Sequence, residues 1–375
     1  MITRSSSVLV RNIRWIFNAP AQRKMSAQTQ QDDVILKEQC KAGIIVLNRP
    51  KALNALNLSM IEKILPSLKQ WECDKSLVIV KGAGEKAFCA GGDVKTVILE
   101  GMAGRREVGF EFFKKEYFMN GLIGCYKIPY IAIIDGIVMG GGVGLSVHGK
   151  YRVATERTLF AMPETQIGFF PDVGGSYFLS RLQGKLGWYL ALTGQRLKGA
   201  DVLHAGIATH LVNSCDLKEV EAALVECSCD ADVKTALDAF SKKDLPDFSL
   251  QPHMAKINCI FGSDKVEDIL SGLECDDSKW AKETKDLLNK MSPTSLKVAM
   301  KQLDLGKRYN LQDCLKMEYS MSVNFLKNKD FYEGVRALLI DKDQKPAWDP
   351  PKIEDVTEQI VNGYFTDLPK LKNMM

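Results

Sequence analysis

Two glycine clusters about fifty residues apart are the strongest indication of chemistry in this sequence. Residues 89–93 read Cys-Ala-Gly-Gly-Asp and residues 139–142 read Met-Gly-Gly-Gly, each after a hydrophobic run and before a helical pattern. The first backbone N–H groups of a helix have no partner within it and lie at the positive end of its dipole. Glycine also lets a ligand approach the backbone closely. The clusters therefore predict two N–H groups that converge on one anionic oxygen, as in an oxyanion hole.

Two acidic residues follow the second cluster. Glu164 comes directly after Pro163, and Asp172, eight residues later, comes directly after Pro171. Their surroundings are apolar and rich in turns, where an unpaired carboxylate is costly. Such carboxyls suit general acid/base or nucleophilic work. The residues alone leave a second interpretation open, in which Glu164 caps a backbone amide and Asp172 caps a helix that starts near Gly174.

Composition limits the classes of function. The chain has 375 residues, 46% of them hydrophobic, enough for one large core or two moderate ones. A net charge of +4 is too modest to predict a nucleic-acid-binding surface. The ten cysteines are scattered and the four histidines are not grouped, so we expect reduced thiols, an intracellular compartment and no structural metal site.

The first 31 residues form a distinct segment. They contain no Asp or Glu, but they carry arginines, serines and interspersed apolar residues. This composition is typical of a mitochondrial transit peptide, and a disordered tail is the alternative. No later window of the sequence is long and apolar enough for a membrane span.

The intervening elements must position the glycines and the carboxyls. Short apolar runs alternate with helical patterns: strands are predicted at residues 43–47, 77–80, 131–134 and 151–154, and helices at 59–71, 107–123 and 174–182. This alternation predicts an α/β fold. Strand patterns disappear after about Asp216, and the prolines at 246 and 252 mark a soft boundary. We therefore predict a core domain at residues 32–245 and a C-terminal helical region at 246–375.

Four motifs in order resemble the signatures of the crotonase, or enoyl-CoA hydratase/isomerase, superfamily. They are Asn-Arg-Pro-Lys-Ala-Leu-Asn-Ala-Leu at 48–56, Lys-Ala-Phe-Cys-Ala-Gly-Gly-Asp-Val-Lys at 86–95, Asp-Gly-Ile-Val-Met-Gly-Gly-Gly at 135–142 and Met-Pro-Glu at 162–164. The resemblance runs over residues 34–212 and implies a core built as a ββα spiral. It also implies that the amides of Gly92 and Gly141 polarise the thioester carbonyl of an acyl-CoA.

One departure from the superfamily pattern is informative. A hydratase carries a second catalytic glutamate two residues after the triple glycine, where this chain has Gly144. Asp172 stands instead in a turn where hydratases usually have a small residue. The sequence around Asp172, Glu116 with Tyr117, and the tail at 340–348 resemble the superfamily's hydrolases of short 3-hydroxyacyl-CoA thioesters. This resemblance implies 3-hydroxyisobutyryl-CoA and 3-hydroxypropionyl-CoA as substrates, valine breakdown as the pathway and the mitochondrial matrix as the location.

The resemblance also implies a role for each catalytic side chain. Glu164 activates a water or attacks directly to give a mixed anhydride, and both routes stay open. Asp172 orients the substrate's 3-hydroxyl or the water and shares a proton with Glu164. Glu116 contacts the substrate hydroxyl, unless it is a solvated residue of a charged helix.

The coenzyme portion of the substrate needs its own contacts. The loop at 88–95 is expected to hold the adenine through backbone groups near Ala90 and Gly92, and Lys95 or Lys51 is expected to meet the phosphates. Coenzyme A is part of the substrate, and no separate cofactor is expected.

Two other functions remain compatible with the sequence. One is an enoyl-CoA isomerase or hydratase that uses Glu164 alone. The other is a non-catalytic crotonase-like subunit of a mitochondrial assembly, in which the helical tail is an interface. The superfamily tends to form trimers and hexamers, so a homo-oligomer is an expectation in either case.

Overall fold

Ten strands and sixteen α-helices form the part of the chain that a computed structural model describes, residues 32–366. The strands are β1 (Val34–Gln39), β2 (Ala42–Leu47), β3 (Leu77–Gly82), β4 (Ala87–Cys89), β5 (Tyr130–Ile134), β6 (Ile137–Met139), β7 (Tyr151–Ala154), β8 (Leu159–Ala161), β9 (Leu197–Lys198) and β10 (His210–Leu211). The predicted transit peptide at residues 1–31 lies outside the described residues.

Seven helices accompany these strands, and nine follow them. The first seven are α1 (Leu58–Asp74), α2 (Val94–Met102), α3 (Arg106–Gly124), α4 (Gly141–Gly144), α5 (Gly175–Phe178), α6 (Leu186–Thr193) and α7 (Ala200–His204). The others are α8 (Leu217–Val225), α9 (Asp230–Phe240), α10 (Met254–Ile260), α11 (Val266–Cys275), α12 (Lys279–Leu288), α13 (Pro293–Gly306), α14 (Leu311–Phe325), α15 (Lys329–Val335) and α16 (Glu358–Gly363).

The strands build two sheets by a repeated step. The larger sheet has the order β1-β2-β3-β5-β7-β10 and the smaller one β4-β6-β8-β9. Each of the pairs β3–β4, β5–β6 and β7–β8 adds one strand to the larger sheet and the next to the smaller sheet, in parallel with the preceding pair. Helical turns follow the second strand of each pair, so the chain advances as a spiral of ββα units. The predicted α/β fold with a ββα spiral core is confirmed.

The central strands β2, β3 and β5 of the larger sheet are buried on both faces along most of their length, as their continuous apolar runs predict. Successive side chains of a strand point to opposite faces. Ile45 and Val80 accordingly belong to the main core with α1, while Ile44 and Ile79 belong to a second cluster covered by α8 and α9. This arrangement holds the carboxyl ends of β4, β6 and β8 in fixed positions, and the glycine clusters and Glu164 follow those ends.

The predicted helix at 174–182 is the main local difference. The structure has only α5 there, followed by a 3₁₀ turn at Leu179–Arg181. A Cβ on Gly187 would lie 1.8 Å from the carbonyl oxygen of Leu179, so α6 packs directly against the start of this turn. The predicted helix is therefore present, but its second half is 3₁₀.

The C-terminal helices pack directly on the segments that carry the acidic residues. A Cβ on Gly306 of α13 would lie 2.1 Å from the carbonyl oxygen of Ser176, and one on Gly334 of α15 would lie 2.3 Å from that of Ile167. Only glycine permits these approaches. The exact boundary between the core and the helical region stays a prediction. Among residues 32–366, no helix has the length and apolar character that a membrane crossing requires.

We expect Gly334→Ala to lower the free energy of unfolding by about 1–3 kcal/mol, because the added methyl group meets backbone atoms that cannot rotate away. Urea unfolding followed by circular dichroism measures this loss. Gly363→Ala is the matched control, since a Cβ at Gly363 meets no atom within 4 Å. Equal stability of the two variants would contradict the proposed close contact.

Candidate active site

A cavity of about 280 Å³ lies where the two glycine clusters meet the acidic residues. Its lining includes Gly92, Gly141, Glu116, Glu164 and Asp172. The structure therefore brings together five residues that the sequence assigned to one site. Most of the remaining lining residues are apolar, among them phenylalanines from α3 and from the segment before Asp172.

The amide of Gly92 is available because of how its neighbours are bonded. Leu56 N–H donates to Gly91 O at 2.8 Å, and Asp93 N–H donates to Leu56 O at 2.7 Å. In a parallel bridge of this kind the intervening amide, that of Gly92, points to the other side. It donates to no other residue within 32–366.

Gly141 begins α4, so its amide has no acceptor within that helix. Gly140 precedes it with a φ of +43°, a conformation that favours glycine. A Cβ on Gly141 would lie 3.0 Å from the Gly92 nitrogen and 2.5 Å from Oε1 of Glu116. The two turns are thus in direct contact. Any side chain at position 141 would obstruct both the Gly92 amide and the Glu116 carboxyl group.

Glu164 follows β8 through Pro163 and starts a 3₁₀ turn at Glu164–Ile167. Its side chain is 6% exposed, and Oε2 has no hydrogen-bond partner among the described residues. Oε1 lies 2.8 Å from the position that a Cβ on Gly140 would occupy. Burial, and then the charge of Asp172, raise the pKa of Glu164 well above its usual range.

Asp172 is 5% exposed and accepts a hydrogen bond of 2.8 Å from the hydroxyl of Tyr117. Burial raises the pKa of Asp172 to about 8, the Tyr117 hydrogen bond opposes the shift, and the charge of Glu318 adds to it. The amides of Gly174 and Ser176 donate hydrogen bonds to the carboxylate of Glu318, not to the Asp172 side chain. The alternative in which Asp172 caps that helix is therefore wrong.

Glu116 lies on α3, one turn before Asn120, and is 1% exposed. The solvated alternative for Glu116 is therefore wrong. Its Oε1 has no partner within the described range. Burial, followed by the charges of Asp172 and Glu164, raises the pKa of Glu116 well above its usual range. The charge of each of these three carboxyls therefore affects the titration of the others.

The space beside Gly144, where a hydratase carries its other glutamate, is filled. A Cβ on Gly144 would lie 2.7 Å from the Cβ of Val173 and 2.8 Å from Nδ2 of Asn120. Neither Asn120 nor Val173 was identified from the sequence, because both reach this space through tertiary packing.

The residues predicted to hold the coenzyme divide into two groups. Ala90 and Gly92 line the cavity. Lys51 and Lys95 are exposed and lie outside its lining. Arg196, an exposed residue beside β9, is a lining cation that the sequence analysis missed, since no motif distinguishes it. Within residues 32–366 no group of three or more His, Cys, Asp or Glu side chains is arranged to hold a metal ion.

Comparison with known sequences agrees with this geometry. The sequence model of the family described as "Enoyl-CoA hydratase/isomerase" matches residues 42–365, and the chain belongs to that family. It is 54% identical over 356 residues to a Xenopus laevis protein named "3-hydroxyisobutyryl-CoA hydrolase, mitochondrial", with 92% of each chain covered. A Homo sapiens protein of the same name is 50% identical over 354 residues, again with 92% of each covered.

Two solved structures share the fold at 33–38% sequence identity. A carnitinyl-CoA dehydratase from Mycobacterium thermoresistibile has a TM-score of 0.85 at 38% identity, covering 90% of this chain and 98% of its own. An enoyl-CoA hydratase from Rhodobacter sphaeroides has a TM-score of 0.84 at 33% identity, covering 91% and 99%. The resemblance identified from the motifs is confirmed.

We expect Asp172→Asn to be more stable than the parent chain, with a difference that grows between pH 5 and pH 8. In the unfolded chain Asp172 loses its proton near pH 3.8, whereas in the folded chain its pKa is about 8. Rising pH therefore favours the unfolded state across that window, and the amide removes this penalty. One pKa unit corresponds to about 1.4 kcal/mol, so the gain at pH 8 should reach at least about 1 kcal/mol.

Thermal unfolding at both pH values measures this difference. Asp355→Asn, at an exposed position, is the matched control and should show no such pH-dependent gain. A stability difference for Asp172→Asn that shrinks as the pH rises would show that the carboxyl is not held protonated in the folded chain.

Proposed function

We propose that this chain hydrolyses 3-hydroxyisobutyryl-CoA, and also 3-hydroxypropionyl-CoA, to the free hydroxy acid and CoA in valine catabolism. The observation that carries the proposal is the contact of the Gly92 and Gly141 turns beside buried Glu164 and Asp172. The filled space at Gly144 supports hydrolysis over hydration. The names of relatives at 50–54% identity support the same substrate.

The chemistry follows from where charge develops. Attack on a thioester carbon places negative charge on its oxygen, and the amides of Gly92 and Gly141 are preorganised donors for that charge. Glu164 takes a proton from water as the oxygen of that water bonds to the carbonyl carbon. The C–S bond then breaks, and the thiolate of CoA receives the proton.

Direct attack by Glu164 gives the same products by a second route. The carboxylate then forms a mixed anhydride and releases CoA, and water hydrolyses the anhydride. Labelled oxygen in Glu164 after a single turnover in H₂¹⁸O identifies the anhydride route, because water that attacks the Glu164 carbonyl carbon of the anhydride leaves its oxygen there, whereas a general base gains no oxygen.

Glu116 and Asp172 are proposed to recognise the 3-hydroxyl group. Both carboxyls are buried beside the cavity, and a protonated carboxyl can donate as well as accept a hydrogen bond. Tyr117 fixes Asp172 from the protein side. A substrate hydroxyl would supply the partner that Glu116 Oε1 lacks within the described residues.

The remaining assignments concern the coenzyme and the setting. Backbone groups at Ala90 and Gly92 are proposed to contact the CoA moiety, with Lys51 and Lys95 assigned to its phosphates. No separate cofactor is proposed. The relatives are named as mitochondrial, and we assign this chain to the mitochondrion and specifically to its matrix. A homo-oligomer is proposed because the superfamily tends to form trimers and hexamers.

Glu164→Gln should reduce the release of CoA thiol by about 10²–10⁴-fold, because it removes the group that accepts the proton from water. A thiol-reactive dye with 3-hydroxyisobutyryl-CoA as substrate measures the rate. Glu107→Gln, an exposed change on the same helix as Glu116, is the control and should leave the rate unchanged. Near-normal turnover by Glu164→Gln would remove Glu164 from the mechanism.

Two further measurements on the parent chain separate the other functions. A change in enoyl absorbance without thiol release would indicate a hydratase or isomerase. Absence of acyl-CoA binding in calorimetry would indicate a non-catalytic subunit.

Isobutyryl-CoA, which lacks the 3-hydroxyl, should have a kcat/KM at least about 10²-fold below that of 3-hydroxyisobutyryl-CoA, because it leaves buried polar groups unpaired. In Glu116→Gln this ratio should fall by about 10-fold or more. Steady-state kinetics on both substrates provides the measurement. An unchanged ratio in Glu116→Gln would exclude contact between Glu116 and the hydroxyl.

A further inference from the structure

The turn that carries Asp172, residues 171–176, has an unfavourable backbone. Val173 has a φ of +51° and Gly174 a φ of +84°. A β-branched residue rarely adopts a positive φ, because its branched side chain is strained in that conformation. It persists only where surrounding groups determine it, and those groups therefore also determine where Asp172 points.

Glu318 of α14 accepts three hydrogen bonds from this turn. It is fully buried, and its Oε2 accepts the Gly174 amide at 2.6 Å while its Oε1 accepts the Ser176 amide at 2.9 Å. The Ser176 hydroxyl also donates to Oε1. Gln302 of α13 donates to Oε1 at 3.4 Å and to the carbonyl oxygen of Pro171 at 2.6 Å. Two helices of the C-terminal region thus hold both ends of the turn.

The donors around Glu318 specify a carboxylate. Two backbone N–H groups, one hydroxyl and one side-chain amide all direct hydrogens at it. A carboxylate only accepts hydrogen bonds, whereas glutamine at the same position would turn an NH₂ group toward one of these donors. Glu318→Gln is therefore isosteric but mismatched.

We propose that Glu318 is a positioning residue of the active site: it holds the strained turn at 171–176 so that the carboxyl of Asp172 faces the cavity. This inference rests on the proposed hydrolase function. It makes the C-terminal helical region a part of the catalytic centre through hydrogen bonds that span 142 and 144 residues of sequence.

The charge of Glu318 also acts on Asp172. The ionisable groups packed around Asp172 are Tyr117 and Glu116 on α3, Glu164 on its 3₁₀ turn, Glu318 on α14, and His148 after α4, which meets the carbonyl of Val173 at 2.7 Å. Burial lowers the pKa of His148 to about 4, so this histidine is neutral at neutral pH. Removing the Glu318 charge should consequently lower the pKa of Asp172.

The test compares Glu318→Gln with the parent chain and with Glu354→Gln, an exposed change in the same region. We expect Glu318→Gln to lower kcat by about 10–10³-fold with less than about a threefold change in KM. We also expect the limb of the kcat/KM profile against pH that reflects the titration of Asp172 to move to lower pH. Glu354→Gln should match the parent chain in both respects.

Ser176→Ala keeps the test decisive if Glu318→Gln does not fold. It removes one donor to Glu318 and leaves the backbone hydrogen bonds in place. The hydroxyl lowers the pKa of Glu318, which is about 7, so its loss leaves Glu318 more protonated. We expect kcat of Ser176→Ala to fall less than that of Glu318→Gln, and the limb of the pH profile to shift in the same direction by a smaller amount.

Opposite results have distinct meanings. An active parent chain with unchanged kcat and limb in Glu318→Gln overturns the positioning role. A loss of activity that follows the loss of folded protein, with the limb unmoved in both variants, shows a purely structural role and also overturns it. A parent chain that releases no thiol overturns the proposed function itself, and with it the catalytic meaning of Glu318.

Discussion

The contact between the Gly91–Gly92 turn and the Gly140–Gly141 turn is the constraint on which the rest of the structure depends. The amide of Gly92 lies 3.0 Å from the place of a missing Cβ on Gly141. No side chain fits between the turns, so two main-chain donors can face one small volume. Strands β4 and β6 are neighbours in the smaller sheet, and this pairing fixes the separation of the turns that follow them. The donors are therefore positioned by the sheet before any substrate binds, which is the condition for stabilising a developing charge effectively.

The second constraint is the cost of keeping three carboxyl groups away from water. Glu116, Glu164 and Asp172 are each at most 6% exposed, and no lysine or arginine forms an ion pair with any of them in the described part of the chain. Their burial lowers stability as the pH rises, because without a compensating cation the folded chain releases these protons at a higher pH than the unfolded chain does. The packing of the C-terminal helices offsets this cost. Glycine contacts at 306 and 334 let those helices cover the acidic segments closely enough to exclude solvent.

Local sequence signals predicted much of the fold and part of the site. The glycine clusters, Glu164 and Asp172 are each encoded in a few adjacent residues, since a strand end, a proline and a turn define their geometry. The phosphate-binding role of Lys51 and Lys95 stays a prediction, because a charge beside a motif does not specify which way its side chain extends. In the sequence Tyr117 was notable only as the residue after Glu116, and its hydrogen bond to Asp172 could not be predicted. Glu318 and Asn120 had no local signal, because their partners lie far away in sequence and meet them only through packing.

The conformation of the turn at 171–176 explains why this site favours hydrolysis. Hydration of a double bond requires one group to direct water at a carbon and another to deliver a proton to the neighbouring carbon. Hydrolysis needs attack only at the carbonyl carbon, next to the two amides, and one carboxyl can pass the proton of water to the leaving thiolate. Val173, which has a positive φ, places its Cβ 2.7 Å from the position of a Cβ on Gly144, where a second glutamate would have to stand. The same conformation places Asp172 on the cavity wall. The turn at 171–176 therefore occupies the place of the carboxyl that hydration needs and carries a different one, Asp172, suited to a hydroxylated acyl group.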